Sequence, residues 1–154
     1  MRILIAEDDD GIMTTYKLLF GSTNHHLFTA EDGEECVKIF DSQLEAMTQT
    51  TDSQSRVGNP PFDLVILDYR MPKKNGIEVA DHILAAVPSQ KIIIASAYTH
   101  ELIENRKLGN KSSLLLLQKP FEIDALMHLV EGSPAKPGGK ATSKSGSFNI
   151  SESN

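Results

Sequence analysis

The chain has a single cysteine, Cys36, and no tryptophan. A lone thiol excludes an intramolecular disulfide framework and any cysteine-based metal site. In the helix-like stretch where it stands it reads as an inert, packed side chain. No apolar run approaches the ~18 residues of a membrane-spanning helix, and the run in MRILIAEDDD is too short for a signal peptide. The expected location is therefore cytoplasmic. Positive charge is scarce too: 15 Lys and Arg against 21 Asp and Glu leave a net charge of −6, the wrong sign for a general nucleic-acid coat. Asn149-Ile150-Ser151 fits a glycosylation acceptor pattern, but without a secretory signal the match reads as chance.

What remains is a chain of 154 residues, enough for one domain with a core of its own. Short apolar runs alternate with amphipathic segments. Arg2 to Ala6, His26 to Ala30, Asp63 to Leu67, Lys91 to Ala95 and Leu114 to Leu117 read as strands. Between them, Ile12, Tyr16, Leu19 and Phe20 recur at helical spacing, as do Val37, Phe40, Leu44 and Met47, and then Ile77, Ala80, Ile83, Leu84 and Val87. Leu102, Ile103 and Leu108 mark a further helix, and Ile123, Leu126, Met127 and Val130 the last one. Strands that are continuous apolar runs joined by helices imply a parallel sheet covered on both faces, a doubly wound α/β domain. Two segments break the rhythm. Residues 48–61, TQTTDSQSRVGNPP, are expected to form a flexible insertion, and residues 132–154, rich in Ser, Gly, Lys and Pro, a disordered tail behind a domain of residues 1–131.

The run Glu7, Asp8, Asp9, Asp10 directly follows the first strand. Two carboxylates ~4 Å apart repel by roughly 4 kcal/mol at an effective dielectric of ~20, so the cluster needs a counter-charge, a proton or water. Asp9 or Asp10 suits the N-cap of the following helix. In open parallel sheets, sites form beyond the carboxyl ends of the strands. Glu7 and Asp8 stand at such an end, as does Asp68; if those strands are neighbours, three acids meet. A hard divalent cation with oxygen ligands would relieve the repulsion, and Mg²⁺ fits best. Ser96 and Lys119 follow two further strands, and a hydroxyl plus an ammonium on the same rim suit an oxyanion beside its metal.

At these residues the chain resembles the receiver domain of two-component response regulators. The matching stretches are ILIAEDD, DLVILDYRMPKKNG, IIIASAY and QKPF, spread over roughly Met1 to Glu131. The resemblance implies a flavodoxin-like three-layer fold with five parallel strands in the order 2-1-3-4-5. It implies that Asp68 accepts a phosphoryl group from a sensor histidine kinase and that Asp8, Asp68 and the backbone carbonyl of Arg70 bind Mg²⁺, with Glu7 helping through water. Ser96 and Lys119 would hold the phosphoryl oxygens, and Lys119-Pro120 would be a cis peptide. The implied protein is a stand-alone phosphoacceptor, not a turnover enzyme, that signals by docking to a downstream protein. A relay shuttle passing the group to another histidine is the alternative. A phosphohydrolase with an aspartyl nucleophile would want an acid where Arg70 stands. The family often places an aromatic residue where this chain has Leu116; Tyr98 could replace that switch in part. Docking is expected at the last strand and its flanking helices, where two copies could also pair. Direct DNA or membrane binding is not expected.

Overall fold

A computed structural model describes residues 1–21, 24–49, 59–99, 102 and 113–131. Strands β1 (Arg2–Ala6), β2 (His26–Ala30), β3 (Leu64–Asp68), β4 (Ile92–Ser96) and β5 (Leu114–Gln118) and helices α1 (Asp10–Gly21), α2 (Gly33–Gln49), α3 (Gly76–Ala86) and α4 (Ile123–Glu131) follow in the order β1-α1-β2-α2-β3-α3-β4-β5-α4 among the described residues. All strand pairs are parallel and the sheet order is β2-β1-β3-β4-β5, as the resemblance implied. Chain order reverses between β1 and β3, and this places their carboxyl ends side by side.

The apolar runs are explained by burial on both faces. Leu4, Ala6, Val65, Leu67, Ile92 and Ile94 meet α2 and α3 through Cys36, Phe40, Val79, Ala80 and Ile83. Ile3, Ile5, Leu64, Ile66, Ile93 and Ala95 meet α1 and α4 through Met13, Tyr16, Phe20, Leu126 and Val130. Cys36 is fully buried, which pushes its thiol up to about 12. Among the described residues no helix is long and apolar enough to cross a membrane.

Some boundaries differ from the sequence reading. β3 starts at Leu64 because Asp63 is turned outward, its carboxylate accepting the Arg2 backbone N–H at 2.6 Å. Lys91 lies before β4, where its Nζ donates to the carbonyls of Leu129 (2.7 Å) and Val130 (3.5 Å) at the end of α4. Helix α2 continues through Thr48 and Gln49, residues expected in the insertion; no Gly or Pro stops it there, and the Thr48 hydroxyl bonds back to the Glu45 carbonyl at 2.7 Å. Ile123, one of the apolar residues that mark the last helix, is half exposed, whereas Leu126 and Val130 are buried. Residues 50–58, most of the stretch around Ile103 and Leu108, and the expected tail lie outside the described residues.

Candidate functional site

Each site residue is delivered by a strand end. Glu7 leaves β1 with its N–H on the Ala30 carbonyl (3.1 Å), and its side chain is 2% exposed. Asp68 is the last residue of β3 and is buried; it pairs with Ala95, and the Tyr69 N–H donates to the Ala95 carbonyl at 2.9 Å. Ser96, the next residue of β4, is buried as well. Lys119 follows β5, tied by its N–H to the Ser96 carbonyl at 2.8 Å, and its bond to Pro120 is cis. Apolar strands thus fix the backbones that bring Glu7, Asp68 and Lys119 together.

The convergence is tight. Lys119 Nζ donates to Glu7 Oε2 and to Asp68 Oδ1, both at 2.8 Å. Asp68 Oδ2 accepts the Arg70 N–H at 3.0 Å, and Glu7 Oε1 accepts the Asp9 N–H at 3.4 Å. Carboxylate oxygens of Glu7, Asp8 and Asp68 lie within 4.8 Å of one another. Burial pushes the Glu7 carboxyl above its ordinary range; the Lys119 hydrogen bond opposes this and the Asp68 charge adds to it. Burial alone would lower the Lys119 ammonium, but hydrogen bonds to Asp68 and Glu7 outweigh it and hold the group above its ordinary range.

The acidic run therefore divides its labour. Glu7 and Asp68 are answered by a counter-charge, whereas Asp8, Asp9 and Asp10 are exposed to water. Asp9 caps α1, its Oδ1 accepting the Ile12 N–H at 2.9 Å. Asp8 opens onto a depression of about 440 Å³ that Tyr69, Arg70, Met71, Pro72 and Asn75 complete. An all-oxygen donor set with one carboxylate facing an open depression suits a small hard cation such as Mg²⁺.

Of the other residues singled out, Ser96 Oγ accepts the Tyr98 N–H at 3.0 Å. The Arg70 guanidinium lies 4.5 Å over the Tyr98 ring, so the loops after β3 and β4 touch. Leu116 is not brought to the acids: it lies within β5, paired with Ile94 and packed against the α2–α3 side. Three contributors escaped the sequence reading. Gly76 lies so close to the site's backbone that an added Cβ would sit 2.5 Å from the Asp68 carbonyl. Lys73, at φ 66, pairs with Asp32 at 2.6 Å and clamps the β3–α3 loop to the start of α2. Gln118 was visible only as a polar residue closing a leucine run.

Comparison with known proteins agrees with this geometry. The family model described as response regulator receiver domain matches residues 3–131, well over half of the chain. The chemotaxis protein CheY of Listeria monocytogenes is 27% identical over 134 residues, covering 85% of this chain and 96% of that protein. Sporulation initiation phosphotransferase F of Bacillus subtilis is 28% identical over 132 residues, covering 84% and 90%. The response regulator TrrA of Thermotoga maritima, solved in complex with Mg²⁺-BeF, superposes with a TM-score of 0.63 at 32% identity, covering 85% and 96% of the two chains. By its sheet order, by the acids and lysine gathered at its strand ends and by this match, the chain belongs to the response regulator receiver domain family.

Proposed function

We propose that Asp68 accepts a phosphoryl group from a histidine of a sensor kinase and that the phosphorylated chain signals by docking to a partner protein in the cytoplasm. The observation that carries this reading is the Lys119 ammonium held 2.8 Å from both Glu7 and Asp68. Phosphoryl transfer asks a protein mainly for alignment and charge neutralisation. Asp68 supplies the attacking oxygen, its carboxylate oriented by the Arg70 N–H and Lys119. Lys119 and Ser96 then donate to the phosphoryl oxygens, Lys119 exchanging its carboxylates for the new charge and Ser96 turning its hydroxyl proton inward. Asp8, Asp68 and the Arg70 carbonyl are the groups that would hold Mg²⁺, with Glu7 acting through water. Bound there, such a cation would supply positive charge to offset the repulsion between the acceptor carboxylate and the phosphoryl oxygens. No turnover of a substrate is required; the chain is an acceptor. The similarity to the Bacillus subtilis phosphotransferase favours one second reading, a shuttle that hands the group to another histidine.

The test is intact mass after incubation with a small phosphodonor and Mg²⁺. Wild type should gain one phosphoryl unit and Asp68→Asn none. No gain on wild type, or an equal gain on the variant, would overturn the proposal. Transfer from the loaded chain to a histidine phosphotransfer domain would favour the shuttle.

A further inference from the structure

The side-chain amide of Gln118, the last residue of β5, is committed on both ends. Its Nε2 donates to the Ala97 carbonyl at 2.8 Å and to the Lys119 carbonyl at 3.1 Å, while its Oε1 accepts the Thr99 hydroxyl. Both amide protons and the carbonyl oxygen are therefore used, and the orientation of the amide is set by its partners. Gln118 is exposed and belongs to neither apolar core, so packing does not account for it.

What the amide joins is informative. One side is the loop that follows Ser96, whose Oγ is held by the Tyr98 N–H. The other side is the backbone of Lys119, whose ammonium bridges Glu7 and Asp68. The Lys119 N–H reaches the Ser96 carbonyl at 2.8 Å, but the next residue, Pro120, has no N–H to contribute. Past that point Gln118 supplies the cross-links from its side chain. Because the amide ties Ala97 and Thr99 to Lys119, the hydroxyl-bearing and lysine-bearing loops are held at a set spacing.

We propose that Gln118 is a positioning residue: through Ala97, Thr99 and Lys119 it keeps the two oxyanion donors, Ser96 and Lys119, aligned before an anion arrives on Asp68. This rests on the phosphoacceptor reading above. Donors aligned in advance lose less freedom on binding, so the amide should strengthen capture of the anion while leaving the cation alone. The acids that would hold the cation come from β1 and β3, which Gln118 does not touch.

The experiment compares full-length wild type with Gln118→Met, Gln118→Glu, Thr99→Val and Thr99→Ser. Each is titrated by calorimetry with Mg²⁺ alone and then, at saturating Mg²⁺, with beryllofluoride as a phosphoryl stand-in. Gln118→Met should weaken beryllofluoride binding about tenfold, the scale seen when residues behind a metal's direct ligands are lost, with Mg²⁺ affinity unchanged. Gln118→Glu should be at least as weak, since it sets a carboxylate against two carbonyls. Thr99→Val should weaken binding less, and Thr99→Ser, which keeps the hydroxyl, should match wild type. Equal beryllofluoride affinity in Gln118→Met and wild type overturns the inference and leaves the phosphoacceptor reading standing. A parallel fall of both affinities with melting temperature overturns it too, because that is what a purely structural role produces. If wild type takes up neither beryllofluoride nor a phosphoryl group, the reading itself fails and the inference with it.

Discussion

Lys119 carries the electrostatic balance of the site, and its removal has a calculable sign. In Lys119→Met, Glu7 loses the hydrogen bond that draws its carboxyl down, while burial and the Asp68 charge continue to push it up. Breaking a buried ion pair from one side costs about 3 kcal/mol or more; Lys119 keeps some exposure, so about 2–3 kcal/mol is expected at pH 7. The Glu7 pKa in the folded variant lies above the ordinary 4.5. As pH falls through that raised value, the folded chain takes up a proton that the unfolded chain does not, so part of the lost stability returns. In wild type the raised Lys119 pKa contributes fully below 10.5 and is lost as pH climbs past it. Urea unfolding of both proteins at acidic, neutral and alkaline pH should therefore show their difference greatest near neutrality. A constant gap would mean that Glu7 is not the group left stranded. These residues were open to sequence reading because Glu7 and Asp68 directly end apolar runs and Lys119 stands one residue beyond another. Gln118 was not, since its partners are mostly backbone atoms that no residue pattern reveals.

Among the elements, α3 shows how a helix start positions chemistry. Asn75 Oδ1 accepts the N–H groups of Ile77 (2.9 Å) and Glu78 (3.0 Å), and Glu78 returns a bond to the Asn75 N–H at 2.8 Å. This reciprocal cap is lost in Asn75→Ala, at a cost of about 1 kcal/mol. The neighbouring substitution sets two effects against each other. Helix propensity favours Ala over Gly by about 1 kcal/mol, but at position 76 the new Cβ would meet the Asp68 carbonyl at 2.5 Å and Tyr69 Cα at 3.1 Å. Those atoms are backbone and cannot rotate away. Overpacking of this kind costs about 1–3 kcal/mol beyond the propensity gain, so Gly76→Ala should melt below wild type and accept phosphate more slowly. A higher melting temperature for Gly76→Ala would remove the close approach from the account. The apolar spacing from Ile77 to Val87 announced the helix; the reason for glycine at its start lay at the end of β3 and was invisible locally. The same limit explains the end of α2. Thr48 and Gln49 look like loop by composition, yet nothing in them breaks a helix already stabilised by Phe40 and Leu44 in the core.

At the scale of the whole molecule, sequence legibility followed burial. The central strands β1, β3 and β4, covered on both faces, wrote themselves as apolar runs, whereas β2, with His26 and Thr29, left a weaker trace; which strands are neighbours came only with the family resemblance. That order puts Glu7, Asp8 and Asp68 on one rim of a chain whose net charge is already −6. Folding there gathers negative charge, with a single lysine shared between two of the three carboxylates. Asp8 is left to solvent, so a cation that binds only the folded state should raise stability by mass action. At tenfold excess over its dissociation constant the gain is about 1.4 kcal/mol, or roughly 3–5 °C for a chain of this size. Thermal melts in millimolar Mg²⁺ should show that rise, and chelation should reverse it. Asp8→Asn should lose most of the shift, yet without Mg²⁺ it should be as stable as wild type or slightly more so, because it deletes one of three like charges at the cost of no buried partner. An equal Mg²⁺ shift in wild type and Asp8→Asn would place the cation elsewhere. A loss of stability in Asp8→Asn without Mg²⁺ would show instead that Asp8 holds the fold and not an ion.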